Sequence, residues 1–263
     1  MKIEEDGTYF MPVGFGQSPP HAAGVFEDVW TGIVNYRSER DALAAFLPEP
    51  FRPADDPVVS VVYQQCLGVN ILHGGGYNLM GVNLAAVFEG KQDHLAGQFC
   101  LILWENQTVP IIRGRELLGI PKIFADVPDP EQHGQAWSVR VADAGRTLIE
   151  LELTEGRRLG DGEVEALNRP RDDRHWFGWR YIPNVNGFGA ALSEPQSIGV
   201  ENVFTSAYEI DGEVRYGDGV WDAHPGAQDI LGGLRKLTVD EYLGGMIGRG
   251  STTITRAKHR VLV

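Results

Sequence analysis

The sequence predicts a mostly β chain of the α+β class: one largely antiparallel sheet, curved or rolled into a barrel, carrying a few helices. Three observations predict it. Apolar and polar residues alternate in short runs rich in β-branched side chains. A single segment carries the full punctuation of a helix. No linker, internal repeat or low-complexity tract divides the chain, so residues 1–263 read as one domain, a size common for all-β barrels.

The opening residues, with Pro12, Gly14, Gly16, Pro19 and Pro20, read as an irregular arm over 1–24. "SERDALAAFLPEPF" follows as a helix, with Ser38 as N-cap, Leu43, Phe46 and Leu47 on one face, and Pro48 as its stop. Period-two runs then mark strands at 58–65, 79–88, 97–104, 137–142 and 147–153, with "PDPEQHGQ" as a connecting hairpin loop. Further strands are expected over 199–210 and in the C-terminal "STTITRAKHRVLV", and helices near 226–234 and 239–247. "RPRDDRHWFGWR", 169–180, reads as a loop laced by salt bridges, because Asp172 and Asp173 dilute its basic charge.

A net charge of −13 repels phosphate backbones and anionic membrane surfaces, so neither nucleic acid nor membrane is an expected partner. No basic leader precedes an apolar stretch at the N-terminus, which leads to an expected cytoplasmic location. Cys66 and Cys100 lie in apolar, strand-like runs and read as reduced core residues. The seven histidines show no ligand spacing, so no metal is expected. His73-Gly-Gly-Gly76 lacks a companion nucleophile elbow, and the Gly-Phe-Gly pairs at 14–16 and 187–189 lack a dinucleotide context. All three read as turns.

One residue breaks the pattern. Of five lysines, Lys122 alone sits in an apolar run, between Leu117, Leu118, Ile120, Pro121, Ile123 and Phe124 in "RELLGIPKIF". Its amine either snorkels to water or is held somewhere dry. A lysine amine attacks carbonyl carbon only when unprotonated, and its reference pKa of about 10.4 must therefore be lowered. Desolvation does this, and a like charge from Arg113 or Arg115 about 5 Å away would add roughly 3 kcal/mol at an effective dielectric of about 20.

"PIIRGRELLGIPKIFADV" resembles the lysine segment of the acetoacetate decarboxylase family, in which G-R-E, a spacer and Pro-Lys lead to a Schiff-base lysine; that lysine falls on Lys122. "VNYRSERDALAAFLPEPF", "GGGYNLMGVNLAAVFEG" and "GDGVWDAHPGAQDILGGLRKLTV" resemble other segments of the same family, in order. The resemblance implies a β-barrel-like, cone-shaped sheet with the lysine in an interior pocket, no cofactor, and a homo-oligomer. Activation of a lysine by desolvation or a neighbouring cation is the known behaviour of acetoacetate decarboxylase itself.

The departures from the family are informative. Ile123 stands where a second lysine follows the first, Gln64 and Leu79 stand where the pocket glutamates fall, and the expected arginine is replaced near Val29. A pocket stripped of these carboxylates suits a small 2-oxo acid such as pyruvate, with Gln64 donating to its carboxylate and Arg115 or Arg113 as a charged clamp. Lys122 would form an imine, and the enamine would attack an aldehyde, giving an aldolase or aldolase-dehydratase. Tyr242 is the expected proton shuttle, with Glu116 as its alternative. A β-keto acid decarboxylase and a non-catalytic barrel binding a small carbonyl ligand are the other readings.

Overall fold

The computed structural model describes residues 2–18, 23–170, 174–217 and 225–263. After a 3-10 turn at Val13–Phe15 come β1 (Ala23–Arg37), α1 (Arg40–Ala44), β2 (Phe51–Pro53), β3 (Val58–Val69), β4 (Gly75–Glu89), β5 (His94–Glu105) and α2 (Thr108–Leu118). They are followed by β6 (Lys122–Phe124), β7 (Glu131–His133), β8 (Ala136–Asp143), β9 (Arg146–Arg158), α3 (Asp161–Asn168), β10 (His175–Pro183) and β11 (Ala190–Ile198). The chain ends with β12 (Val200–Tyr216), α4 (Pro225–Leu234), β13 (Glu241–Thr255), a 3-10 turn at Arg256–Lys258, and β14 (Arg260–Val261).

All of the strands join one 14-stranded sheet with the order β14-β11-β10-β5-β4-β3-β1-β13-β12-β9-β8-β7, while β2 pairs with β4 and β6 with β5. The mostly β, α+β expectation holds, with one refinement. The sheet is open and mixed rather than a closed antiparallel barrel: β5 pairs in parallel with both β10 and β6. Those parallel pairings join strands far apart in the chain, with helical connections between them.

Alternation along the strands sorts side chains onto two faces. Val59, Val61 and Tyr63 of β3 and Met80, Val82 and Leu84 of β4 enter the large core with Trp30, Val34 and Tyr36. Cys66 of β3, Tyr77 and Leu79 of β4 and Leu103 of β5 enter a second, smaller core with Val29, Cys100 and Ile120. Both cysteines are free and buried there.

Several elements differ from the sequence expectation. Residues 239–247 are not a helix; from Glu241 on they are the start of β13, which is paired on both edges, with β1 and β12. That two-sided pairing overrides the local apolar pattern, and the glycines in "YLGGMIG" weaken any helix. The first helix is shorter than 38–47 and is capped at Glu39, with the Ser38 hydroxyl making no cap bond. β1 went unmarked because residues 29–32 are buried on both faces and do not alternate. Within 169–180, residues 175–180 are strand rather than loop. Asp172 and Asp173, like Pro19, Pro20, His21 and His224, lie outside the described residues.

Candidate active site

Lys122 opens β6, the three-residue strand that lies parallel to the end of β5, with Lys122 opposite Leu103. Lys122 points inward, where it is 5% exposed, while Ile123 and Phe124 reach the surface. Its backbone is fixed on several sides. Leu103 N–H donates to the Pro121 carbonyl, Lys122 N–H to the Ile120 carbonyl at 2.8 Å, and Arg115 Nη1 to the Lys122 carbonyl at 2.9 Å.

α2 supplies the rest of the seat. The Ile120 N–H reaches back six residues to the Gly114 carbonyl at 3.1 Å, closing the helix in a Schellman-type turn with Gly119 at φ 62°. This turn reverses the chain and lays Lys122 along the helix. At Gly114 a methyl group would stand 2.4 Å from both Cδ and Cε of Lys122, so a larger residue would push the lysine stem out of this path. The amine then donates to the Pro110 carbonyl at 3.2 Å.

The ionisable group in contact with the amine is a carboxylate. Glu105 Oε1 lies 2.7 Å from Lys122 Nζ, and the Glu105 side chain is 0% exposed. Apart from this ion pair, neither carboxylate oxygen has a hydrogen-bond donor among the described residues. Burial raises the proton affinity of the Glu105 carboxyl above the usual carboxylate range, and the adjacent Lys122 opposes that rise. The walls are dry: burial pushes the Cys66 and Cys100 thiols up to about 12, and the Tyr77 phenol is raised well above its ordinary value by burial and then by Glu105.

A register row crosses this face of the sheet. Thr31 of β1 opposes Gln64 of β3, Gln64 opposes Leu79 of β4, and Leu79 opposes Glu105 of β5. The structure thus brings Gln64 and Leu79 onto the face that carries Lys122 and Glu105. Gln64 Nε2 donates to Thr31 Oγ1 at 3.2 Å. Val29, two residues before Thr31, is buried in the same core.

The other candidates stand elsewhere. The exposed Arg115 is committed to the Lys122 backbone, and Arg113 Nη2 donates to Ser18 Oγ at 2.9 Å with its guanidinium 5.0 Å over the Phe10 ring. Glu116 is half-buried on α2. Tyr242 sits at the start of β13, edge-on to Tyr36 of the large core, with its hydroxyl accepting the Val214 N–H at 3.1 Å. Along the ladder four strands separate β13 from β6, so the tyrosine stands away from Lys122.

Two sequence expectations about the amine's surroundings therefore change. A carboxylate, not a cation, touches the amine, and the pocket is not stripped of carboxylates. Glu105 closes the run "GQFCLILWE", where it looks like a charge terminating an apolar strand; both faces of that strand are apolar, so alternation gave it no direction. Gly114 sits mid-helix at a cost of roughly 1 kcal/mol against alanine, and that cost becomes a sign of close approach only once the helix is known.

The family model described as acetoacetate decarboxylase matches residues 10–262. Acetoacetate decarboxylase 1 of Bradyrhizobium diazoefficiens is 31% identical over 127 residues, 48% of this chain and 48% of that protein, so the chain spans about half the length of this curated relative. A solved acetoacetate decarboxylase structure superposes with a TM-score of 0.78 at 17% identity, covering 97% of this chain and 95% of the other. The enduracididine biosynthesis enzyme MppR, complexed with the condensation product of pyruvate and imidazole 4-carboxaldehyde, superposes with a TM-score of 0.72 at 19% identity, covering 99% and 97%.

Proposed function

Because the chain belongs to the acetoacetate decarboxylase family, we propose that it is a lysine-imine carbon–carbon lyase that joins a pyruvate-like 2-oxo acid to an aldehyde, or cleaves the reverse adduct. The observation that carries this reading is the buried Lys122–Glu105 contact at 2.7 Å. A carboxyl with raised proton affinity is a suitable acceptor for the proton that Lys122 must shed before attack.

The amine adds to C2 of the oxo acid, and loss of water leaves the imine. Protonated, its nitrogen draws electrons from the adjacent carbon. Glu105 returns the lysine's proton to the hydroxyl that leaves as water, and as a carboxylate again it removes a proton from C3, whose C–H electron pair becomes the enamine double bond. C3 then attacks the aldehyde carbon, and the aldehyde oxygen takes up the proton that Glu105 holds. Glu105 removes the remaining C3 proton as that hydroxyl, taking a proton, leaves as water to give the conjugated product, and hydrolysis returns free Lys122. Gln64, turned from Thr31, donates to the substrate carboxylate, and Leu79 packs the aldehyde. Arg115 and Arg113 hold α2 and the lysine backbone in place instead of clamping substrate.

The second reading, decarboxylation of a 3-oxo acid, is favoured by the names of the curated relatives. It uses the same imine, with the bond to carbon dioxide breaking towards it, and it needs no base to form the enamine. The C3 base in contact with the amine is therefore what favours aldol chemistry. The MppR complex lends support, as a protein of this fold that holds such a condensation product.

Product analysis separates the two. With pyruvate and an aromatic aldehyde, the protein is expected to generate a new conjugated absorbance, and with acetoacetate no carbon dioxide above background. Carbon dioxide release without the conjugated product would establish the decarboxylase instead.

A further inference from the structure

The face of the sheet that carries Lys122 continues past the site in two further register rows. In the first, Ile33 of β1 opposes Val62 of β3, Val62 opposes Gly81 of β4, Gly81 opposes Leu103 of β5, and Leu103 opposes Lys122 itself. In the second, Asn35 opposes Ser60, Ser60 opposes Asn83, and Asn83 opposes Cys100. Neighbouring rows on one face lie about 7 Å apart, two residues along each strand. The lysine row thus separates Gln64 and Glu105 on one side from a polar row on the other. It is apolar and low: a methyl group at Gly81 would stand 2.4 Å from Leu103 Cδ1, so the leucine lies down on the glycine, and Ile33 and Val62 are half-buried.

The polar row is held from two sides. Trp176 of β10, packed against the smaller core, donates its indole N–H to Asn83 Oδ1 at 2.9 Å. Indole is a donor only, so this bond fixes the Asn83 amide with its NH2 group turned away from the tryptophan. Asn83 is 5% exposed, and that NH2 group has no acceptor among the described residues. Ser60, 2% exposed, donates to Asn35 Oδ1 at 2.7 Å and accepts from Gln98 Nε2 at 2.9 Å. Gln98 of β5 reaches across β4 to make that bond, and its Oε1 has no donor among the described residues. Were the Asn35–Ser60–Gln98 chain reversed, Gln98 would present a donor instead, so a hydroxyl, which both gives and takes, fits either direction. A buried amide donor left unmet is costly in a finished core, and here it marks a place for a ligand atom. The row's polar side chains are all neutral, so a carboxylate or ammonium would lose its water there without gaining a counter-ion.

We propose that the row of Ser60 and Asn83 is the subsite for the far end of the aldehyde, and that the aldehyde it selects carries a neutral hydroxyl about one row spacing from its carbonyl carbon. This deepens the aldol reading and rests on it. Gln64 holds the carboxylate of the oxo acid and Leu79 flanks the aldehyde carbon, both in the row on one side of the lysine. The body of the aldehyde then crosses Leu103 and Val62 to the other side. Its hydroxyl accepts from Asn83 Nδ2 and donates to Gln98 Oε1. A benzene ring with a substituent at each end spans the gap.

The test is condensation of pyruvate by the full chain with para-(hydroxymethyl)benzaldehyde and with para-ethylbenzaldehyde, which match in size and differ by that hydroxyl. The ratio of their kcat/KM values cancels any effect common to both, imine formation included. Wild type is expected to favour the hydroxymethyl aldehyde about tenfold, and Asn83→Leu to bring the ratio to about one or below. A wild-type ratio near one, or an unchanged ratio in Asn83→Leu, overturns the proposal. Should Asn83→Leu fail to fold with the indole N–H unpaired, Asn83→Leu combined with Trp176→Phe removes both partners, which costs a fold little, and the same ratio is read. If wild type condenses neither aldehyde, the aldol reading fails. The subsite is then read alone, from the indole N–H resonance of Trp176 during titration with benzyl alcohol: a saturable shift supports a hydroxyl-binding row, and no shift overturns it.

Discussion

Two side chains divide the work at Lys122, and each can be changed without emptying the site. Glu105→Gln keeps the volume and a polar contact to the amine but cannot take a proton. Because a positioned base contributes about 10²–10⁴-fold and Glu105 accepts a proton in both steps, condensation is expected to fall at least about 10²-fold and imine trapping to fall with it. Wild-type rates of trapping and condensation would reduce Glu105 to a structural partner of the lysine. Gly114→Ala separates activity from stability. Alanine is the better helix residue by roughly 1 kcal/mol, yet its methyl would sit 2.4 Å from the lysine stem. The expected outcome, read by trapping rate and thermal unfolding, is a folded protein that captures pyruvate at least about tenfold more slowly. Lys122 was legible in the sequence because a lysine in an apolar run needs an explanation. Glu105 was harder, since nothing local distinguishes an inward carboxylate from one that ends a strand at the surface.

The elements explain which candidates gather and which scatter. Gln64, Leu79 and Glu105 share a register row because β3, β4 and β5 are antiparallel neighbours whose pairing keeps their inward residues aligned. Such alignment is invisible locally, because it depends on how strands pair and on the bulge between Val82 and Asn83 that shifts β4 against β5. Tyr242 illustrates the opposite case. Read as part of a helix, it had no fixed direction; in β13 it packs on Tyr36 and bonds the Val214 backbone, and it is 39% exposed. Tyr242→Phe is therefore expected to cost stability on the order of 1 kcal/mol in denaturant unfolding and to leave the condensation rate within about twofold. A large loss of rate at unchanged stability would return the hydroxyl to the chemistry. The helix α2 was the least legible element: Pro110 and Gly114 argue against a helix, and both are there for the lysine, one lending its carbonyl and the other its missing side chain.

At the scale of the whole molecule, the sheet makes the site possible. Its strands are long and apolar enough to bury both faces, so a second core exists in which an ion pair can be held away from water. The β class was readable from period-two runs, whereas the open order was not, because β5 recruits β6 and β10 across long stretches of chain. At the surface, pairs such as Arg157 with Glu163 and Glu209, and Arg260 with Asp93, offset part of the acidic charge locally, and the remaining surface charge is screened, which leaves the interior pair to set the local chemistry. That chemistry stands on the capture of a carbonyl by the amine of Lys122, and intact mass after borohydride reduction with pyruvate measures it directly. The expected result is one covalent pyruvate-derived addition per chain, mapped to Lys122 and absent from Lys122→Ala; an unmodified wild-type chain, or the same addition on Lys122→Ala, would contradict it.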